Sequence, residues 1–246
     1  LFAHSLQRPT PIRRATICEP VGIRFSFPMT AAWFKKLSFV ALAFAVVTLS
    51  TSLRADKPVW AGNNGGNANS GSNWTNTTNG QAPGNSDTAH IGNGSAAFAG
   101  NSTIGGLELT TDTGATSPGK LEGSGTVTFS GGGAGILSTW DSGEISFNTP
   151  SDGVVFETGV TLNISGAGNS HKFSGGSITN KGSSNWTDGS IDTSNGVSFS
   201  NNSGATFTNS FDGTISYDSA TTRGTFVNSG NFTKSSGASN SQTEIQ

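Results

Sequence analysis

After residue 100, large apolar residues occur in short runs in which apolar and polar positions alternate. Such alternation places the large side chains on one face of a strand and the Ser and Thr side chains on the other. Each run is bounded by Gly, Asn, Asp or Ser, which are turn residues, and no stretch has a convincing helical period. The pattern therefore predicts strands and turns throughout residues 56–246. The runs are Leu107–Leu109, Thr126–Phe129, Glu144–Phe147, Val160–Ile164, Val197–Phe199, Thr206–Thr208, Thr214–Tyr217 and Thr225–Val227.

A weak internal repeat organises the C-terminal half of the chain. The triplets Asn180-Lys181-Gly182, Asn202-Ser203-Gly204 and Asn228-Ser229-Gly230 each precede an aromatic residue, and their first residues lie 22 and 26 positions apart. Periods of this length are typical of solenoids, in which each coil buries its apolar face against the next coil. We therefore predict an all-β parallel β-helix, with about six or seven coils over residues 100–246. An antiparallel β-sandwich or barrel is the alternative, because short, regularly spaced strands also suit that class.

Residues 29–55 have the pattern of a secretory signal peptide. The segment begins at Met29, the only methionine, and continues with Lys35-Lys36 and an apolar stretch over residues 37–49. A basic start, an apolar helix of about a dozen residues and a small residue at the exit characterise such peptides. A membrane anchor would need about 20 apolar residues. We therefore expect cleavage between Ala55 and Asp56.

Residues 1–28 precede this segment, and signal peptides begin at the initiator methionine. We therefore expect residues 1–28 to be an upstream extension that is not part of the natural product. The only cysteine, Cys18, lies in this extension. The exported part would then contain no disulfide and would depend on burial and backbone hydrogen bonds for its stability.

Composition and charge narrow the range of functions. Gly accounts for 35 of the 246 residues and charged residues for only 11%, which argues against a helical protein. The formal charge is +6 over residues 1–55 and −8 from residue 56 onward. The acidic exported part, with Arg223 as its only arginine, lacks the cationic surface that phosphate contacts need. We therefore expect no nucleic-acid partner.

Residues 56–130 carry a resemblance of moderate specificity. In order, the chain has Trp60, Asn73-Trp74, Pro83, Asp87-x-Ala89-x-Ile91, Ile104-x-x-Leu107-x-Leu109 and Leu121-x-Gly123-x-Gly125-Thr126-Val127-Thr128. This order resembles the start of bacterial autotransporter-type passenger proteins and of related surface proteins with autotransporter-associated strand repeats. The resemblance implies a right-handed parallel β-helix that is displayed at the cell surface or released from it.

The composition of residues 56–99, rich in Gly and Asn, differs from that of the repeats and suggests how the exported part is divided. We expect a Gly/Asn-rich N-terminal cap over residues 56–99 and solenoid repeats over residues 100–246. No C-terminal translocator barrel or sorting tail follows, and the chain ends at Gln246 within repeat-like sequence. We therefore expect a solenoid truncated at its C-terminus, with membrane contact only through the export signal or through a missing C-terminal anchor.

Candidate catalytic and metal-binding residues are few. Glycosidic cleavage requires an acid and a second carboxylate at fixed separation, whereas Asp188 and Asp192, or Asp212 and Asp218, are accounted for as turn residues. His90 and His171 lie 81 positions apart without a cysteine partner, so we expect no metal and no cofactor. The sequence favours a non-enzymatic protein. The alternative is a carbohydrate-active β-helix enzyme, a polysaccharide lyase or hydrolase, whose site is not recognised.

Two tryptophans are candidates for stacking on sugar rings. Trp140 and Trp186 would be exposed in that case, whereas an aromatic residue at a repeat position more often belongs to the core. Together these features predict an exported protein, secreted or held at the cell surface or outer membrane. It would act as an adhesin-like or structural passenger whose partners are glycans or surface proteins.

Overall fold

The computed structural model describes residues 56–132, 136–217, 222–236 and 244–245. The expected extension (1–28), the expected signal helix (29–55) and Asp218 lie outside the described residues. Ala55, the residue before the expected cleavage position, also lies outside the described residues.

The described chain winds through three parallel sheets, named A, B and C in the order in which each coil visits them. Sheet A contains β1 (Val59–Trp60), β3 (Trp74–Thr75), β4 (Thr88–Ile91), β7 (Gly106–Leu109), β10 (Ser138–Trp140), β13 (Thr161–Ile164), β16 (Ser183–Trp186), β19 (Thr206–Asn209) and β22 (Asn231–Lys234). Sheet B contains β2 (Gly66–Asn67), β5 (Ser95–Ala99), β8 (Lys120–Ser124), β11 (Gly143–Phe147), β14 (Ser170–Ser174), β17 (Ser190–Ser194), β20 (Thr214–Tyr217) and β23 (Glu244–Ile245). Sheet C contains β6 (Ser102–Ile104), β9 (Thr126–Phe129), β12 (Gly153–Phe156), β15 (Ser177–Asn180), β18 (Ser198–Asn201) and β21 (Thr225–Asn228).

Neighbouring strands in each sheet belong to successive coils, and they run parallel. The result is a β-solenoid of about six turns, which confirms the predicted parallel β-helix. The alternative of an antiparallel sandwich is wrong. Among the described strands the one antiparallel pair is β1 with β3, at the N-terminal end of the stack.

A tryptophan pair covers the N-terminal end of the core. Pairing of β1 with β3 brings the rings of Trp60 and Trp74 to a centroid distance of 5.0 Å in an edge-to-face arrangement, a favourable geometry for aromatic rings. The indole N–H of Trp74 donates to the carbonyl oxygen of Ala68 at 2.9 Å. The solenoid strands begin within the segment expected as a cap, since β4 pairs with β7 and β5 pairs with β8.

The core is a column of inward-facing apolar side chains, and parallel in-register pairing places like residues on top of one another. Phe129 stacks on Phe156 at 4.8 Å, and Phe207 stacks on Phe232 at 5.4 Å between ring centroids. The alternation seen in the sequence explains this column, because in most strands every second residue faces inward.

A ladder of asparagines occupies the last position of three successive strands of sheet C, β15, β18 and β21. The side-chain amide of Asn180 donates to Oδ1 of Asn201 at 2.9 Å, and that of Asn201 donates to Oδ1 of Asn228 at 2.7 Å. Asn180 and Asn201 are 0% and 1% exposed, and buried amides require such partners. The repeat expected from the sequence began at Asn202 in the middle coil. The structure instead aligns Asn201 with the other two, because its side chain is the one that faces inward.

Helical structure in the described residues is limited to two three-residue 3₁₀ turns, Gly71–Asn73 and Thr78–Gly80. Within this part of the chain, no helix has the length and apolar character needed to cross a membrane.

Candidate functional site

The two tryptophans proposed for sugar stacking lie in the core. Trp140 and Trp186 are both 0% exposed, so neither ring has a free face for a sugar. Their indole N–H groups donate inside the protein, that of Trp140 to Gly143 O at 3.4 Å and that of Trp186 to Gly189 O at 3.0 Å. The structure therefore assigns both residues to packing, the other role that the sequence left open.

The acidic residues singled out from the sequence have separate partners. Asp188 accepts a hydrogen bond from the N–H of Gly189 at 2.7 Å, as a turn residue does. Asp192 lies on sheet B and accepts hydrogen bonds from the hydroxyls of Ser170 and Ser216. The carboxylates of Asp188 and Asp192 therefore bind different partners.

The two histidines have different environments. His171 is buried beside Trp140, with its ring nitrogens 3.0 Å from Ser190 O and 2.7 Å from Ser165 O. His90 lies at the outer face of sheet A between the carboxylates of Glu108 and Asp112. The described residues contain no cluster of His, Cys, Asp and Glu that could hold a metal ion.

A groove lined mainly by Ser, Thr, Asn, Gly and charged residues runs along the outer face of sheet B, across several coils. Its larger part is a cavity of about 630 Å³ at the corner where sheet A leads into sheet B. Its smaller part is a cavity of about 280 Å³ further along the stack, and Lys172 lines both. The larger cavity is lined by Asn64, Gly94, Ser95, Thr111, Ser117, Pro118, Gly119, Lys120, Ser142, Gly143, Glu144, Asn169, Ser170 and Lys172. The smaller one is lined by Lys172, Asp192, Thr193, Ser194, Ser216 and Tyr217.

One wall of this sheet B groove is the loop 110–119, which joins β7 to β8 and is longer than the other described connections between sheets A and B. The loop is held to the coils on both sides. The N–H of Asp112 donates to Gly92 O in the preceding coil at 2.8 Å, and the hydroxyl of Thr111 lies 2.8 Å from that of Ser142 in the following coil. The loop is therefore a braced part of the solenoid surface.

A cluster of charged and polar groups fastens the base of this loop. His90 Nε2 lies 3.0 Å from Asp112 Oδ1, and His90 Nδ1 lies 3.1 Å from Glu108 Oε2. Lys57 forms an ion pair with the same Glu108 carboxylate. Partial burial by itself would raise the pKa of the Glu108 carboxyl, but Lys57 and His90 outweigh it and hold that pKa below its ordinary value. The cluster links Lys57, which lies just before β1, to His90 in β4 and Glu108 in β7.

Charged side chains alternate in sign along the groove. Register pairing places Lys120, Glu144, Lys172 and Asp192 in successive strands of sheet B. At about 4.8 Å per strand, neighbouring charges in this column are close together. Lys120 Nζ lies 2.9 Å from Glu122 Oε2 and 3.8 Å from Glu144 Oε1.

Sequence reasoning missed this column. Its members are separated by 24, 28 and 20 positions, so no fixed period links them. The one sequence signal for these four residues was their outward position in alternating strands. Many Ser and Thr residues have the same position, so this signal did not single out the charged column.

No protein-family model, no curated protein and no solved structure matches this chain. The resemblance of residues 56–130 to autotransporter-type passengers therefore stays an expectation from the sequence.

Proposed function

We propose that this protein is an exported, non-enzymatic surface β-solenoid that binds glycans in the sheet B groove. The observation that carries the proposal is the groove itself, an elongated depression built along the stack by hydroxyl-, amide- and charge-bearing residues from several coils. Its lining combines hydroxyl, amide, ammonium and carboxylate groups, which match the many donors and acceptors of a sugar chain.

The braced groove wall supports the same function. Because loop 110–119 is tied to the coils on both sides, the larger cavity is preformed. Preformed sites lose less conformational entropy when a ligand binds. The alternative within this proposal is a structural passenger: the groove then binds no sugar, and the protein contacts neighbouring surface proteins.

Export to the cell surface is supported by the sequence of residues 29–55, with its basic start and apolar stretch. In this proposal the protein reaches its partners outside the cell, and its acidic exported part has no nucleic-acid partner.

The test is a glycan array probed with the protein purified after export from a bacterial host. Binding to a set of glycans without release of reducing sugars or unsaturated products supports the proposal. Turnover of any polysaccharide in a panel would instead favour the carbohydrate-active enzyme. Glu144 would then be the first residue to substitute, because among the described residues it is the one carboxylate that lines the larger cavity. If the array shows no binding, the glycan-binding function is wrong.

A further inference from the structure

Lys172 differs from the other lysines of the described residues in its ion pairing. Each of the other four pairs with a carboxylate: Lys57 with Glu108, Lys120 with Glu122, Lys181 with Glu157 and Lys234 with Asp212. Lys172 forms no ion pair within the part of the chain that the structure describes, and its side chain is exposed. It lies where the two cavities of the sheet B groove meet. The unpaired ammonium is therefore placed where a ligand would pass.

The acidic neighbours of Lys172 are directed to other partners. Glu144 and Asp192 occupy the strands on either side of it in register. Glu144 lies 3.8 Å from the ammonium of Lys120, and both carboxylate oxygens of Asp192 accept hydrogen bonds from serine hydroxyls. The ammonium of Lys172 thus remains available for an anion supplied by a ligand.

The same two carboxylates limit how much negative charge a ligand can carry. They stand one strand spacing, about 4.8 Å, from Lys172 in either direction along the groove. A ligand with an acidic group on every sugar would bring further carboxylates against Glu144 or Asp192, and like charges at such distances repel. Beyond Lys172, neutral sugars would meet hydroxyl and amide groups such as those of Ser142 and Asn169.

On these grounds, and resting on the proposed function, we infer that the sheet B groove recognises glycans in which single acidic sugars are separated by neutral ones. The carboxylate of the acidic sugar accepts a charge-assisted hydrogen bond from Lys172. Polar side chains on both sides hold the neutral sugars.

The inference is tested by titrating the full chain with three oligosaccharides of equal length. A hyaluronan oligomer carries a carboxylate on every second sugar, an oligogalacturonate carries one on every sugar, and a fully N-acetylated chito-oligosaccharide is neutral. The hyaluronan oligomer is expected to bind tightest. Lys172→Gln should weaken its binding about tenfold, as expected for a lost charge-assisted hydrogen bond. Lys172→Arg should largely retain it. Binding of the chito-oligosaccharide should not change in either variant.

Lys181→Gln is the matched control, since it also removes one lysine charge but at the Lys181–Glu157 pair outside the groove. If Lys172→Gln and Lys181→Gln have the same effect, general charge explains the binding and the inference is wrong. If the wild-type protein prefers the neutral or the fully charged oligomer, the inference fails while the proposed glycan binding stands. If it binds none of the three and no glycan on the array, the proposed function fails with it.

Discussion

His90 Nε2 lies 3.0 Å from Asp112 Oδ1, a contact that joins a strand of sheet A to the loop forming the wall of the sheet B groove. The two residues are 22 positions apart in the chain, so the solenoid itself brings them together. The contact holds loop 110–119, the groove wall on which the proposed glycan binding depends.

Removing this contact should loosen the groove wall. Asp112→Ala deletes the carboxylate that His90 holds, and amide hydrogen exchange in loop 110–119 should become faster while the core strands keep their protection. Glycan affinity should fall several-fold, since a mobile wall must be ordered on binding. Thr139→Ala, on the same outer face of sheet A, is the control and should leave exchange in the loop unchanged. Unaltered exchange in Asp112→Ala would show that the backbone hydrogen bonds alone brace the loop.

The lowered pKa of Glu108 predicts a pH-dependent contribution to stability. A carboxyl whose pKa is lower in the folded state stabilises the fold above its unfolded-state pKa, and this stabilisation disappears as the pH falls through the folded-state pKa. Thermal unfolding should therefore show a lower melting temperature for Glu108→Gln than for the wild type at pH 7. The difference should shrink as the pH falls below about 4. A difference that is constant down to pH 2 would mean that the charge of Glu108 has no part in it.

The asparagine ladder predicts unequal effects at two adjacent positions. Asn201→Ala removes a buried amide that bonds to Asn180, Asn228 and the carbonyl oxygen of Asn231, and should cost about 2 kcal/mol in the free energy of unfolding. Asn202→Ala changes the next residue, in the turn, and should cost less than about 0.5 kcal/mol. Urea denaturation of both variants measures the difference. Equal effects would indicate that the ladder contributes nothing beyond the turn.

Gly143 in the floor of the groove should not tolerate a side chain. Its φ of +90° is a conformation that favours glycine, and a Cβ there would overlap the carbonyl oxygen of Gly119. Gly168 also has a positive φ, +74°, but a Cβ there would meet open space. Gly168→Ala should therefore cost about 1 kcal/mol from backbone strain, whereas Gly143→Ala should cost more, because the backbone must also shift. Both values come from denaturant unfolding, and similar losses in the two variants would argue against the close approach at Gly143.

The exported protein should begin at Asp56. N-terminal sequencing of the chain recovered from outside the cytoplasm of a bacterial host tests this directly. Ala55→Phe should block processing at that bond, because the cleavage site requires a small residue. Recovery of the wild-type protein only in the cytoplasm, with the apolar segment intact, would contradict export.

Local alternation predicted strands where an alternating run was recognised, but strands such as Gly153–Phe156 and Ser183–Trp186 lie outside those runs. In runs such as Thr126–Phe129 and Thr206–Thr208, the period of two leaves one strand orientation that buries every apolar side chain. The repeat of Asn, Gly and aromatic residues then indicated stacked coils, although it misplaced one rung of the asparagine ladder by one residue.

The groove and its charges were decided by the tertiary structure. Coil lengths in sheet A range from 18 residues between Thr88 and Gly106 to 31 between Glu108 and Thr139. For that reason no spacing in the sequence shows which residues lie side by side on the outer surface. Burial of Trp140 and the unpaired ammonium of Lys172 depend on the same long-range register. Side-chain alternation is a property of each strand alone, whereas neighbours on a solenoid face are set by the lengths of all the turns between them.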